Sequence, residues 1–198
     1  MEAYMTEISI VVEEIKYLRK NLREWMRPIK RDTPLAMQPS TTSMRYEPKG
    51  VVLIVAPWNY PFQLVMDPLA GAIAAGCCAV VKPSEDAPAV AKVIEAIISE
   101  IFDPCFVSTV QGLGHEVVPE LMNSFLFNHV FFTGSPQVGS AIAKMAAEKL
   151  TSTTLELGGK SHAIIDGTGN MKTTVKRLLW GKFMNAGQTC VSPDYVLV

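Results

Sequence analysis

Cysteine and histidine, the usual ligands of structural metal sites, are scarce in this sequence. Its 198 residues include three histidines and four cysteines, Cys77, Cys78, Cys105 and Cys190, and no two cysteines form a CxxC pair. This spacing excludes the common zinc motifs and favours free thiols, and the adjacent Cys77 and Cys78 suit a packed core. We therefore expect no metal and a reducing, cytoplasmic compartment.

The sequence also lacks an excess of charge of one sign and any long apolar run. Its 18 basic and 19 acidic residues give a formal net charge of −1, which offers no basic surface to nucleic acid. Its apolar tracts are interrupted by glycine, proline or charge well before the length of a membrane span. We expect neither a nucleic-acid partner nor a membrane segment in this chain. Since 48% of the residues are hydrophobic, the chain can bury a core.

The sequence predicts an amphipathic helix at the start of the chain. Apolar residues recur at steps of three or four from Met5 to Trp25, and Pro28 ends the pattern. No capping residue precedes this helix, so we expect it to begin upstream of Met1. The next segment, Thr33 to Glu47, has prolines but little core pattern and is interpreted as an extended arm or linker.

From residue 51 onward, short apolar strands alternate with predicted helices. The predicted strands are VVLIVAP, CAVVKP, CFVSTVQG, HVFFTG, TTLEL, HAIID and YVLV. Such alternation is typical of βαβ units and predicts an α/β fold with a doubly wound parallel sheet. Ligands bind such sheets beyond the carboxyl ends of the strands. The residues that follow each strand are therefore the candidates for function.

Polar side chains lie at several of these strand ends. The sequence places there Trp58 and Asn59, Lys82 and Glu85, Gly134 and Ser135, and Glu156. The Asn59 amide, in an aromatic and proline-flanked turn, suits a fixed donor to a developing oxyanion. Lys82 and Glu85 could hold the hydroxyls of a ribose, or they could belong to a solvated loop.

The segment GSPQVGSA, Gly134 to Ala141, opens a helix directly after a strand. Gly134 permits close backbone approach, Ser135 can cap the helix and Pro136 suits its first turn. The free N–H groups of such a helix start favour a phosphate, although plain helix capping explains the same residues. The segment is not a P-loop, because Gly139 is followed by serine rather than lysine, and the sequence contains no GxGxxG.

Cys190 lies in the stretch GQTCVSPDYVLV and allows two interpretations. It could be an ordinary buried cysteine, or it could be a nucleophile served by a separate carboxylate such as Glu156. A Cys/His hydrolase is disfavoured because nothing in the sequence links the three histidines to Cys190. His129 opens an apolar strand and is interpreted as a core or rim residue.

Five of these motifs occur together in one order: PWNYPFQL, GAIAAGCCAVVKPSE, FFTGSPQVG, LELGGKS and WGKFMNAGQTCVSPDY. With them the chain resembles the aldehyde dehydrogenase superfamily, and it is most similar to the class 3 branch, which acts on fatty and aromatic aldehydes. The resemblance covers almost the whole chain. Pro136 and His162 depart from the common pattern of the superfamily, but neither position has a catalytic role.

The resemblance implies a role for each candidate residue. Cys190 corresponds to the nucleophile, Glu156 to the general base and Asn59 to the side chain that binds the oxyanion. The residues implied to bind the cofactor, NAD or NADP, are Trp58, Lys82, Glu85, Gly134, Ser135 and Gly139. The implied reaction oxidises an aldehyde to a carboxylic acid through a cysteine thiohemiacetal and a thioester.

The resemblance also implies a domain organisation. Residues 1–32 and 47–158 correspond to a Rossmann-like NAD(P)-binding domain, residues 33–46 to an oligomerisation arm of a homodimer, and residues 159–198 to the beginning of a catalytic domain. We therefore expect the chain to be an internal fragment that is inactive by itself. Two alternatives remain open, a CoA-acylating aldehyde dehydrogenase and a non-catalytic dinucleotide-binding fragment. Because CoA-acylating relatives commonly lack the glutamate, Glu156 favours hydrolysis.

Overall fold

A long helical segment opens the chain in the computed structural model, which describes residues 1–198. A π-helical turn, Tyr4–Ile8, continues into helix α1, Ser9–Trp25. Two short antiparallel strands follow, β1 (Ile29–Arg31) and β2 (Thr42–Met44). The segment interpreted as an extended arm therefore forms most of a hairpin, and five of the six residues in its strands are exposed.

The centre of the molecule is a five-stranded parallel sheet. Its strands are β3 (Val51–Val55), β4 (Cys78–Lys82), β5 (Val107–Thr109), β6 (His129–Gly134) and β7 (Ser152–Leu157). They lie in the order β5-β4-β3-β6-β7, and every neighbouring pair is parallel. The sheet predicted from the alternation of apolar strands and helices is confirmed.

Four helices cover the two faces of this sheet. They are α2 (Gln63–Ala74), α3 (Pro88–Ile101), α4 (Gly114–Ser124) and α5 (Pro136–Glu148). Successive residues of a strand point to opposite faces, so Val52 and Ile54 pack with α2 and α3, whereas Leu53 and Val55 pack with α4 and α5. The sheet is therefore doubly wound, with one apolar core on each face.

The strand order creates a crevice between β3 and β6. The chain moves from β3 outward to β4 and β5, and then returns to the other side of β3 as β6 and β7. Connections leave β3 and β6 in opposite directions, so the loops at their carboxyl ends separate and leave an opening. This is the point where doubly wound sheets bind their ligands.

The remaining elements lie outside the central sheet. Strands β8 (His162–Ile164) and β9 (Tyr195–Leu197) form a separate parallel pair, and helix α6 (Met171–Phe183) connects them through a short 3-10 turn, Met184–Gly187. In the whole chain, no helix combines the length and the apolar character that crossing a bilayer requires.

Candidate functional site

A cleft of about 230 Å³ lies at the crevice between β3 and β6. The residues that line it are Pro57, Trp58, Asn59, Leu64, Thr133, Gly134, Ser135, Glu156, Leu157, Gly158, Gln188 and Cys190. Six of the nine residues predicted from the sequence are among them: Trp58, Asn59, Gly134, Ser135, Glu156 and Cys190. Lys82, Glu85 and Gly139 do not line the cleft. The fold thus brings the predicted nucleophile, base and oxyanion donor to one place.

Cys190 is exposed at this cleft. The alternative interpretation, an ordinary buried cysteine, is therefore wrong for this residue. Cys77 is buried, as predicted for a core residue, whereas Cys78 is partly buried. All four cysteines are free thiols. A thiol must be both reduced and accessible to act as a nucleophile, and Cys190 meets both conditions.

The loop that carries Cys190 has an unusual backbone conformation. Asn185 and Ala186 have φ angles of 51° and 54°, in the left-handed region that residues with a Cβ rarely adopt. Such a conformation costs about 1–3 kcal/mol per residue and persists only where neighbouring contacts hold it. The Asn185 side chain supplies one of them, since its Nδ2 donates to Asn59 O at 2.8 Å.

Two further hydrogen bonds join this loop to the loop after β3. Asn59 Nδ2 donates to Gln188 O at 2.8 Å, and the hydroxyls of Tyr60 and Thr189 lie 2.6 Å apart. An asparagine amide has two N–H donors. One donor of Asn59 is used by Gln188, so the second is left for a group in the cleft. The arrangement can therefore hold Asn59 in place and still leave it a hydrogen bond to donate.

Glu156 lies on β7 directly beside Thr133 of β6 in the strand register. Glu156 is exposed to the cleft, whereas Thr133 is 7% exposed and its hydroxyl has no hydrogen-bond partner. A buried hydroxyl without a partner is rare, and here it borders a cleft that a ligand or water can enter. Thr133 was not among the nine residues predicted from the sequence, although its place at a strand end was a usable signal.

The amino end of α5 closes another side of the cleft. Ser135 Oγ accepts a hydrogen bond from Val138 N–H at 3.3 Å, so Ser135 caps the helix as predicted. A Cβ on Gly134 would lie 2.5 Å from Cζ of the buried Phe132, which explains why a glycine is needed there. The helix start at the exposed Ser135 therefore presents a positive dipole end to the cleft, which suits a phosphate group.

Gly139 has a packing role in this structure. A Cβ at this position would lie 2.8 Å from Cδ2 of Leu157. The missing side chain allows α5 to approach β7 closely, and so it fixes where the amino end of α5 stands relative to Glu156.

Lys82 and Glu85 form a compact pair at the carboxyl end of β4. The Lys82 side chain is 1% exposed, and its Nζ donates to Glu85 Oε2 at 2.6 Å and to Pro83 O at 2.8 Å. Glu85 Oε1 accepts from Gly114 N–H at 2.6 Å, which caps α4. The alternative of a solvated loop is therefore wrong for Lys82. Partial burial raises the pKa of Glu85, but the hydrogen bonds from Lys82 and Gly114 outweigh burial and lower it to about 2.

This pair makes stability depend on pH in a defined direction. Because the folded-state pKa of Glu85 lies below its usual 4.5, its stabilising effect is full above pH 4.5 and is lost as the pH falls toward 2. We expect Glu85→Gln to lower the free energy of unfolding at pH 7 by about 2 kcal/mol, since Lys82 loses its counter-ion. Urea denaturation at pH 7, 5 and 3 should show this deficit shrinking with acid, whereas Glu100→Gln, on exposed surface, should show none. A deficit that stays constant between pH 7 and 3 would contradict the ion pair.

The histidines lie away from the thiol chemistry. Both ring nitrogens of His129 have partners, Ser152 Oγ at 2.7 Å and Thr154 Oγ1 at 3.0 Å. Burial, followed by the nearby Lys49 charge, lowers the pKa of His129. This agrees with its interpretation as a rim residue of the sheet. None of the three histidines lines the cleft with Cys190.

Known proteins are similar to this chain over its whole length. The aldehyde dehydrogenase family model matches residues 1–198. The 4,4'-diaponeurosporen-aldehyde dehydrogenase of Staphylococcus aureus is 50% identical over 198 residues, which are 100% of this chain and 43% of that protein. Human aldehyde dehydrogenase family 3 member B1 is 42% identical over 196 residues, covering 99% of this chain and 42% of that protein.

Solved structures show the same relationship. The substrate-bound state of Staphylococcus aureus AldH matches with a TM-score of 0.95 and 49% identity, covering 100% of this chain and 43% of that one. The NAD+ complex of a Bacillus cereus aldehyde dehydrogenase matches with a TM-score of 0.86 and 30% identity, covering 98% and 39%. The chain thus spans about two fifths of the length of these relatives. It belongs to the aldehyde dehydrogenase family.

Proposed function

We propose that the protein oxidises aldehydes to carboxylic acids with NAD or NADP, through a covalent intermediate on Cys190. The observation that carries this proposal is the cleft itself, which gathers Cys190, Asn59, Glu156 and the amino end of α5. A nucleophile, a hydrogen-bond donor and a carboxylate around one cavity are the groups that acyl chemistry requires.

The first step uses Cys190 and Asn59. The Cys190 thiol releases its proton to solvent, the resulting thiolate sulfur adds to the aldehyde carbon, and the carbonyl oxygen becomes an oxyanion. The second N–H of Asn59 and the backbone N–H of Cys190 donate to this oxyanion. Because Gln188 O fixes the Asn59 amide at 2.8 Å, the donor is oriented before the substrate arrives. Donors oriented in advance cost no reorganisation during the reaction.

The residues around the cleft fit a dinucleotide cofactor. Ser135 is exposed at the amino end of α5, Gly134 beside it lines the cleft, and Thr133 adds a buried hydroxyl without a partner. From the resemblance we assign Gly134 and Ser135 to the turn under the pyrophosphate, and Gly139 supports this turn through its packing against Leu157. We assign Trp58 to the cofactor side of the cleft and the Lys82–Glu85 pair, in which Glu85 is the more exposed member, to the ribose. When bound, the cofactor supplies the hydride acceptor that converts the thiohemiacetal to a thioester.

Glu156 completes the cycle by activating water. Its carboxylate accepts a proton from a water molecule, which attacks the thioester carbon and releases the acid and the Cys190 thiol. Both groups line the same cleft. A carboxylate in this position supports hydrolysis over transfer of the acyl group to coenzyme A.

We also propose the domain organisation that the resemblance implies: a cofactor domain at residues 1–32 and 47–158, an arm at 33–46, and the start of a catalytic domain from 159. The exposed β1–β2 hairpin supports an arm that bridges the subunits of a homodimer. The separate pairing of β8 with β9 supports a second domain. Four free cysteines support a reducing compartment such as the cytoplasm.

The experiment that tests this proposal is an assay of the full-length protein with a panel of aliphatic and aromatic aldehydes. NADH or NADPH formation is followed at 340 nm with each cofactor, with and without coenzyme A, and the products are identified by mass spectrometry. We expect reduced cofactor and free acid in equal amounts, independent of coenzyme A. Acyl-CoA as the product would establish the acylating alternative, and binding of NAD without turnover of any aldehyde would establish the non-catalytic one.

A further inference from the structure

The helical segment at the start of the chain contacts both loops that form the cleft. Glu7 Oε2 accepts hydrogen bonds from the backbone N–H groups of Phe62, at 2.8 Å, and Gln63, at 3.3 Å. Glu2 Oε1 accepts from Asn185 N–H at 2.7 Å. Neither glutamate lines the cleft, yet each bonds to one of the loops that do.

Glu7 acts on the loop of Asn59. Phe62 and Gln63 begin α2, and no side chain from within that helix start caps it. The first N–H groups of a helix need an acceptor from elsewhere, and a carboxylate is the strongest one available because it also complements the helix dipole. Asn59 stands three residues before Phe62, so this bond fixes the turn from which the Asn59 amide projects.

Glu2 acts on the loop of Cys190. Its partner, Asn185, is one of two consecutive residues with left-handed backbone, and the Asn185 side chain donates to Asn59 O. The Glu2 carboxylate thus holds the strained turn by accepting the backbone N–H of Asn185. The side chain of Asn185 bonds at the same time to the other loop, at Asn59. A charge-assisted hydrogen bond is about twice as strong as a neutral one, which suits it to this task.

The π-helical turn explains how one helix reaches both loops. Ser9 N–H donates to Tyr4 O, five residues earlier, in the turn Tyr4–Ile8. Hydrogen bonds of this spacing stack residues five apart along the helix, where an α-helix stacks residues four apart. Glu2 and Glu7 are five residues apart, so the π-helical turn favours their projection on one side.

We propose that Glu2 and Glu7 are positioning residues, a two-carboxylate clamp that keeps Asn59 and Cys190 in register for aldehyde addition. This inference rests on the proposed function, because register matters only if the oxyanion formed at Cys190 must meet Asn59. It assigns a functional reason to a helix that lies outside the sheet and contributes no residue to the cleft.

The test compares Glu2→Ala and Glu7→Ala in the full-length protein with Glu7→Gln, which keeps an acceptor oxygen, and with Glu13→Ala. Glu13 is the matched control, because it lies on the same helix and pairs only with exposed Lys16. Hydrogen–deuterium exchange of residues 57–66 and 183–192 measures the clamp directly. We expect exchange to become roughly tenfold faster for residues 183–192 in Glu2→Ala and for residues 57–66 in Glu7→Ala, as loss of a charged hydrogen bond implies.

Two rates then distinguish a loss of positioning from a collapse of the whole site. The rate of the pre-steady-state burst of NADH, which is the rate of NADH formation in the first turnover, should fall roughly tenfold to a hundredfold in both alanine variants. A loss of this size is expected for a misplaced reacting group. Alkylation of Cys190 by iodoacetamide should stay within about twofold of the unaltered protein, because that displacement forms no oxyanion and does not need Asn59. Glu7→Gln should recover most of the burst, and Glu13→Ala should match the unaltered protein.

Unchanged exchange in both alanine variants would overturn the clamp, and faster exchange with an unchanged burst would overturn its positioning role. Equal losses of burst and alkylation would also overturn it, since they would indicate a collapsed site rather than lost register. An unaltered protein that reduces no cofactor with any aldehyde would contradict the proposed function instead, and the exchange rates would still decide whether the clamp exists.

Discussion

Cys190→Ala should abolish aldehyde oxidation in the full-length protein, with a loss of about 10⁴-fold or more in kcat, the scale seen when a covalent nucleophile is removed. The reason is structural as well as chemical. Cys190 is the one cysteine among the residues that line the cleft, so no second thiol stands near Asn59 to replace it. Steady-state NADH formation with the best aldehyde of the panel is the measurement.

Cys105→Ala is the matched control for this variant. Cys105 is also an exposed free thiol, but it lies outside the cleft at the turn before β5, where its N–H bonds to Asp103. We expect it to keep full activity. NAD binding, measured by calorimetry, should persist in Cys190→Ala, because the groups proposed for the cofactor lie on or directly after β3, β4 and β6 and on α5, not on the loop of Cys190. Turnover by Cys190→Ala above a few per cent of the unaltered rate would remove the covalent mechanism.

The sheet, and the edge of the sheet at which the cleft lies, could be predicted because both follow from local pattern. Strands such as Val51–Val55 are short apolar runs, and the helices between them have a helical periodicity. The alternation of strands and helices can therefore be recognised from the local sequence. That order implies a parallel sheet, and the parallel sheet places the strand ends together. Residues as distant in sequence as Asn59 and Glu156 can therefore be assigned to one edge of the sheet from the sequence alone.

The contacts that tie the cleft together could not be predicted in this way. The bond from Asn185 to Asn59 joins residues 126 positions apart, and the bond from Asn185 N–H to Glu2 joins residues 183 apart. No periodicity records such pairs, because each depends on how whole elements pack. The exposure of Cys190 was open for the same reason, since its surroundings come from β3 and β7 as well as from its own loop.

The hairpin illustrates a different limit. Strands β1 and β2 have three residues each, and five of these six residues are exposed, so the strands carry neither the length nor the alternation by which strands are recognised. An exposed two-stranded ribbon has little stability of its own. Its sequence accordingly resembles that of a linker, and only the pairing in the folded chain distinguishes the two.

Glu156→Gln should separate the two halves of the proposed reaction. Glutamine has nearly the shape of glutamate but cannot accept the proton of a water molecule, so the thioester should still form on Cys190 while its hydrolysis slows by about 10²–10⁴-fold. The expected signature is a burst of NADH close to one equivalent of protein, followed by a much slower steady state. Intact-protein mass spectrometry at the end of the burst should show the acyl group on Cys190, and hydroxylamine, which attacks thioesters without a general base, should release it.

Glu148→Gln provides the control, because Glu148 is an exposed carboxylate at the end of α5 and does not line the cleft. It should give the steady state of the unaltered protein without accumulation of acyl-protein. If Glu156→Gln lost the burst as well as the steady state, Glu156 would act before the thioester forms, for example by taking the proton of the Cys190 thiol. If neither changed, the base would have to be another group. The geometry favours a retained burst with a slowed steady state, because Glu156 stands at the carboxyl end of β7 beside the unpartnered Thr133 hydroxyl. A water molecule there would find a hydrogen bond on the same side as the carboxylate that activates it.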